Sequence, residues 1–417
     1  MARRGKLCLL LALACAAATP APAEAGPGDP RSYWVSTRGS DAAPGTRARP
    51  FRTVRRALDA SSGGERVNVL PGLHRSRGSA GRWTHSGRHR RTVVVRGVGR
   101  RPSVVQDLNL VHATGIRLER LRFEGTLTIF GGGRISVVNN EFTGAGTDGV
   151  TNGIVLRGGA TRVAIERNWF HHLASAITGP PAPKVSRLIR IRENVMEDLR
   201  VDGIQFGFWR DTTIEGNVIR RLQTLSPRFH NDGIQSYGAI WRTRIVRNTI
   251  AQSHHQGILI GDEKGPIEDL LIESNVVTQT GAYPLYLFGG TGVRIIGNTV
   301  WRAPGAKAAG IVLRRRDNST APSDAVIANN IASRIATYMP VAVRDWNLVG
   351  SKGVQYGAPA PHELLDVEPL FMDAAGLDMR LSHASPARGR GNPVFAGGGL
   401  DRAGRPRSDP PALGAYE

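Results

Sequence analysis

The chain has 417 residues and a formal charge of +21, with 50 Arg and 5 Lys set against 34 acidic residues. Such an excess suits a polyanionic partner by electrostatic steering, but aromatics interleaved with basic residues are lacking, which argues against nucleic acid. Both cysteines, Cys8 and Cys15, fall in the N-terminal apolar segment, so the rest of the chain is excluded from disulfides, metal–thiolate sites and cysteine-nucleophile chemistry.

Residues 1–25 read as a cleavable secretory signal. Arg3, Arg4 and Lys6 form a basic start, Leu7 to Ala18 an apolar core, and Ala23-Glu24-Ala25 a small-x-small cleavage site before Gly26. The expected location is therefore secreted or periplasmic. No other stretch approaches the ~20 apolar residues that a membrane span needs. Residues 26–91 form an opening module. Tyr33 to Ser36 read as a strand, and Asp41 to Gly45 as a turn. Thr53 to Ala60 read as an amphipathic helical turn with Val54, Ala57 and Leu58 on one side, suited to capping a solenoid. Val67 to Leu70 begin a first coil, and residues 74–91, rich in Gly, Arg and His, read as an excursion.

From 92 to 347 one phrase recurs: an apolar stretch, an asparagine, an apolar pair, a polar gap, then Gly-Ile. It centres on Asn140, Asn168, Asn194, Asn217, Asn248, Asn275, Asn298 and Asn330, at steps of 28, 26, 23, 31, 27, 23 and 32 residues. Repeats of ~20–50 residues indicate stacked units that bury their apolar faces against one another. VAIERNWF, TTIEGNVI and VRIIGNTV alternate at period two and carry no helical period. These units predict an all-β, right-handed, single-stranded parallel β-helix. At a tight bend Asn tolerates the left-handed conformation and can bond backbone, so the Asn column predicts a stacked amide ladder and supports the fold rather than catalysis. Residues 348–417, with many Pro, Gly and Arg, read as an irregular segment that packs along the outside or closes the C-terminal end.

The opening YWVSTRGSDAAPGTRARPFRTVRRAL, the Asn-marked coils and the ending DRAGRPRSDPPALGAYE resemble the right-handed β-helix proteins of the pectate-lyase-like superfamily. That resemblance implies a carbohydrate ligand. Its members include polysaccharide lyases, polygalacturonase-type hydrolases, uronate epimerases and proteins without known activity.

With Gly-Ile as the register mark, Asn152, Asp202, Asp232, Gln256 and Tyr283 fall in one column, about 4.8 Å apart from coil to coil. Two coils repeat Asp-Gly-Ile-Gln, at Asp202 to Gln205 and Asp232 to Gln235. Such a carboxylate pair invites a bridging cation, a shared proton or a basic partner. A calcium ion could take Asp202 and Asp232 with Asn231 or Gln235 oxygens; a shared proton would suit glycoside hydrolysis. A third reading makes each Asp a bend residue capping backbone amides. Arg228, His230, His254, His255 and Lys264 gather on the same coils, with aromatics Phe206, Phe208, Trp209, Tyr237, Trp241, Tyr283 and Tyr286.

The resemblance adds two assignments. Against pectate lyases, Asp202 and Asp232 would be calcium ligands; against polygalacturonases, Asp232 would be an acid/base carboxylate beside His255. The Asp-Asp and Arg-Ile-Lys phrases of polygalacturonases and the Arg-x-Pro-x-x-Arg phrase of pectate lyases are absent from this sequence.

The expected function is β-elimination on a uronic-acid polysaccharide by a monomer, with Asp232, His255, His230, Asp202 and Lys264 as catalytic candidates. Arg210, Arg228, Tyr237, Gln235, His254 and Tyr283 would bind substrate, and Ca²⁺ is the one cofactor considered. Hydrolysis, uronate epimerisation and non-catalytic glycan binding are the alternatives.

Overall fold

In the computed structural model, the residues described are 31–75, 83–144, 151–179, 184–224, 230–261, 265–301, 310–315, 323–350, 354–355 and 358–417. Their strands form three long parallel sheets of 13, 12 and 13 strands, here called A, C and B. Each coil runs from sheet A through the Asn turn to sheet B, then by a wider corner to sheet C and back to A. This is the right-handed parallel β-helix that the periodicity predicts.

The period-two pattern fills the interior with columns of like residues. Ile165, Ile191, Ile214, Ile245, Ile272, Ile295 and Ile327 align in sheet A. The Gly-Ile phrase supplies a second column in sheet C: Ile154, Ile177, Ile204, Ile234, Ile258, Leu285, Ile311 and Ile335. In sheet B, Phe123, Phe142 and Phe170 stack with ring centroids 4.7 Å apart. All of these side chains are buried, so each coil removes its apolar face from water only by lying on its neighbours. The glycine of the phrase is required by crowding. A Cβ on Gly203 would lie 2.4 Å from the Gly233 carbonyl oxygen, and one on Gly233 would lie 2.6 Å from that of Gly257.

The amide ladder forms as expected and extends to Asn347. The Oδ1 of each Asn accepts both the main-chain N–H and the side-chain Nδ2–H of the preceding ladder Asn, at 2.9–3.1 Å, over eight successive links from Asn140 to Asn347. Leu121 ends the ladder on the N-terminal side, its N–H bonding Asn140 Oδ1 at 3.0 Å. One expectation is corrected. The left-handed residue of the turn is the one before each Asn, namely Asn139, Arg167, Glu193, Gly216, Arg247, Ser274, Gly297, Asn329 and Trp346, with φ of 53–66°. That twist turns the Asn side chain inward, where it bonds backbone that the bend leaves unpaired.

The solenoid also starts earlier than Val67. Ser32–Val35 already pairs with Arg66–Val69 in sheet A; Trp83–His85, inside the supposed excursion, belongs to sheet C, and Arg88–Gly97, which begins within it, to sheet A. Helix α1 (Val54–Ala60) is capped by Thr53 and buries Val54, Ala57 and Leu58. The C-terminal segment lies along the Asn corner of the later coils: Leu381, Ala387, Ala412 and Leu413 pack on Ile331 and Leu348. Arg402 Nε donates to Thr249 Oγ1 and the Ala415 N–H to Thr299 Oγ1, both at 2.9 Å.

Replacing Asn248 by Ala leaves two donors of Asn217 without their acceptor and removes the donor to the Ile214 and Val246 carbonyls. Urea unfolding of Asn248→Ala should show a loss of about 2–4 kcal/mol, since orphaned buried groups cost ~1–3 kcal/mol each. A variant as stable as the parent would contradict the ladder's role.

Candidate functional site

The corner between sheets B and C carries the predicted column, and the structure shows what it does. The Ser175 N–H donates to Asn152 Oδ1 at 3.3 Å, the Asp202 N–H to Ser175 Oγ at 3.3 Å, the Asp232 N–H to Asp202 Oδ1 at 2.9 Å, and the Gln256 N–H to Asp232 Oδ1 at 2.9 Å. This is a second, mixed ladder. Ser175 fills the coil in which the sequence pattern offers only Ala176 and Ile177.

Asp202 and Asp232 are 1% and 0% exposed. Each spends an oxygen on the amide of the next coil, so the bend-residue reading describes them best. As a calcium site the pair would need further oxygens around it, since the ion takes 6–8. Among the described residues no three His, Cys, Asp or Glu are grouped to hold any metal. For a direct acid/base role the two carboxylates would have to be uncovered, since both are buried here.

Beside this ladder the histidines do come together, on the outer rim of the corner. The His255 ring lies 4.8 Å from that of His230 and 5.2 Å from that of His254, centroid to centroid, both edge-on. His230 and His254 are exposed and His255 is half-buried. The turn beneath them is fixed by Asn231, whose Nδ2 donates to the Arg200 carbonyl at 2.7 Å, and by the His255 N–H, which donates to the Asn231 carbonyl at 3.2 Å. Burial, and then repulsion from His230 and His254, hold the His255 pKa below the ordinary imidazole value.

The outer face of sheet C adjoins this rim. Gln205 and Gln235 follow the two Asp-Gly-Ile phrases in register, Gln205 half-buried and Gln235 buried at 4% exposure, with Gln205 Nε2 donating to Gln235 Oε1 at 2.8 Å. Gln205 is absent from the candidates read from the sequence, although the duplicated phrase points to it as much as to Gln235. Tyr283 and Tyr286, 5.3 Å apart, are half-buried on the coil beyond the histidines, and Phe288 continues the run at 5.2 Å.

Other candidates do not join them. Arg210 stands on sheet A, its guanidinium 4.8 Å from the centre of the Trp241 ring, and so faces away from the rim. Tyr237 follows Ile234–Ser236, at the end of the sheet C strand remote from the histidines. Phe206 and Trp209 are buried in the core rather than offered to sugar. Arg228 and Lys264 lie outside the described residues, as do residues 1–25.

A family model described as the periplasmic copper-binding protein NosD matches residues 131–302, less than half of the chain. None of the curated proteins compared with it matches in sequence. Pectate lyase Pel9A shares the fold at a TM-score of 0.60 with 14% identity, over 93% of this chain and 96% of that one. XylC, solved with xylose, does so at 0.53 with 10% identity, over 92% and 98%. The chain thus has the parallel β-helix fold of these structures. The copper of the family description finds no three-ligand group among the described residues. Nor is any helix among them long and apolar enough to cross a membrane.

The two aspartate roles separate by substitution. Asp232→Asn keeps an oxygen acceptor for the Gln256 N–H and should unfold close to the parent midpoint, whereas Asp232→Ala should lose about 1–3 kcal/mol. Equal stability of the two variants, read by thermal or urea unfolding, would count against the ladder.

Proposed function

We propose that this chain is an exported carbohydrate-active protein that holds an acidic, uronate-containing polysaccharide along the outer face of sheet C and cleaves it by β-elimination, with His255 as proton acceptor. The observation that carries the reading is the three-histidine rim, set beside the half-buried Gln205 and the Tyr283–Tyr286 run. The export signal read at residues 1–25 and the periplasmic family match support the location.

In β-elimination a base removes the C5 proton, the electron pair forms the C4–C5 double bond, and the C4 glycosidic oxygen leaves and takes up a proton. A base needs a neutral nitrogen, and a depressed pKa keeps His255 neutral at pH 7. The uronate carboxylate must be neutralised while charge builds at C5. His230 and His254 flank the base and can offer the carboxylate N–H donors, while Arg228 and Lys264, near them in the sequence, would supply the positive charge. The +21 charge steers an acidic polymer toward the chain. Hydrolysis needs two accessible carboxylates, and the burial of Asp202 and Asp232 disfavours it.

Incubation with polygalacturonate should produce the ultraviolet absorbance of an unsaturated uronate. His255→Ala should lower the rate by ~10²-fold or more, within the usual range for a general base, while Asp232→Asn retains most of it. Because the base acts when neutral, the rate should rise with pH, with its midpoint below the ordinary histidine value of about 6.5. New reducing ends without absorbance would transfer the assignment to hydrolysis, and C5 inversion without cleavage to epimerisation. Binding with no turnover on any acidic glycan would leave a non-catalytic binding protein.

A further inference from the structure

The Asn corner is used differently along its length. Over the later coils the C-terminal segment covers it with an apolar seam. Over the earlier coils, from Gly97 to Val195, none of the described residues forms such a cover, and the corner holds a cleft of about 730 Å³. This cleft crosses five coils, and four inter-coil spacings of ~4.8 Å give it a length of ~19 Å.

Its lining is basic. Arg100, Arg101 and Arg120 are exposed, and among the described residues no carboxylate pairs with them. Arg167 shares a 3.5 Å contact with Glu193, both about half exposed, and an ion pair in that setting is worth little and yields readily to a competing anion. Beside them stands Trp169, 45% exposed although it is the largest kind of side chain and sits on a regular strand. Its indole is fixed. Nε1 donates to Glu197 Oε1 at 2.9 Å, Glu197 is itself held by Arg220 and Arg221, and the His171 ring stacks against the indole at 3.9 Å. A rigid aromatic plate loses little entropy on meeting a ligand, and a sugar ring offers the C–H face such a plate contacts.

We infer that this cleft is a second glycan-binding site, in which Trp169 stacks on a sugar ring and Arg100, Arg101 and Arg120 take the carboxylates or sulfates of an acidic saccharide. It lies on the corner between sheets A and B, whereas the histidine rim lies between B and C. It shares with the proposed function the acidic character of the glycan but is independent of cleavage. A long polymer held here would be kept near the rim, raising its local concentration there.

The test is equilibrium binding of an oligogalacturonate to the full chain in the His255→Ala background, so that turnover plays no part. Trp169→Ala should weaken binding about tenfold or more, and the Arg100→Gln, Arg101→Gln double variant should do likewise while flattening the salt dependence. A fully methyl-esterified oligomer should bind at least tenfold more weakly than the acid. Separately, in the chain with His255 intact, neither substitution should change the rate on a substrate too short to reach both corners. Affinity unchanged in both variants would overturn the site. So would single-stranded DNA binding as tightly as the saccharide and indifferent to Trp169, which would reduce the cleft to unspecific attraction. Binding lost only on substituting Tyr286 or Gln205 would place the glycan on the rim alone and overturn it equally.

Discussion

A coiled chain that turns every few residues must pair the amide groups its corners expose, and that constraint governs this molecule. A buried, unsatisfied N–H or C=O costs ~1–3 kcal/mol, and each coil adds more of them at three bends. At the corner between sheets A and B the solution is uniform: one Asn per coil, its Oδ1 taking two donors from the Asn before it. The left-handed residue ahead of each Asn makes this geometry possible, and the aliphatic columns then stack in register over it.

The corner between sheets B and C meets the same constraint with a mixed set, Asn152, Ser175, Asp202, Asp232 and Gln256. Two carboxylates thus serve as acceptors for backbone amides. This corner carries longer connections than the Asn corner, and they place His230, His254 and His255 at its edge. A structural ladder therefore fixes the backbone that sets the histidines against one another, and burial, with the two neighbouring rings adding to it, lowers the His255 pKa.

Much of this is legible in the sequence, and what is not has physical reasons. The recurrence of Asn and the alternation of Val and Ile reveal coil length and strand type directly, because every coil repeats the same burial problem. The left-handed position before each Asn is hidden, since residues as different as Arg167, Glu193, Ser274 and Trp346 occupy it. The Asp column is visible as a register, but its role is not: an Asp before Gly reads alike as turn, ligand or acid until burial is known. Ser175 escapes notice because a hydroxyl one residue from Ala176 carries no motif. Arg210 groups with the site by proximity in sequence, yet the chain passes from sheet C to sheet A between Phe206 and Trp209, which sends it around the corner.

The most direct measurement is the titration of His255 by nuclear magnetic resonance, free and with a saturating galacturonate oligomer. A neutral acceptor at the edge of an acidic-glycan site should titrate below the ordinary imidazole value when free and move upward when the bound carboxylates stabilise its cation. An ordinary value that the oligomer leaves unmoved would contradict both the neutrality of His255 and its place beside the substrate.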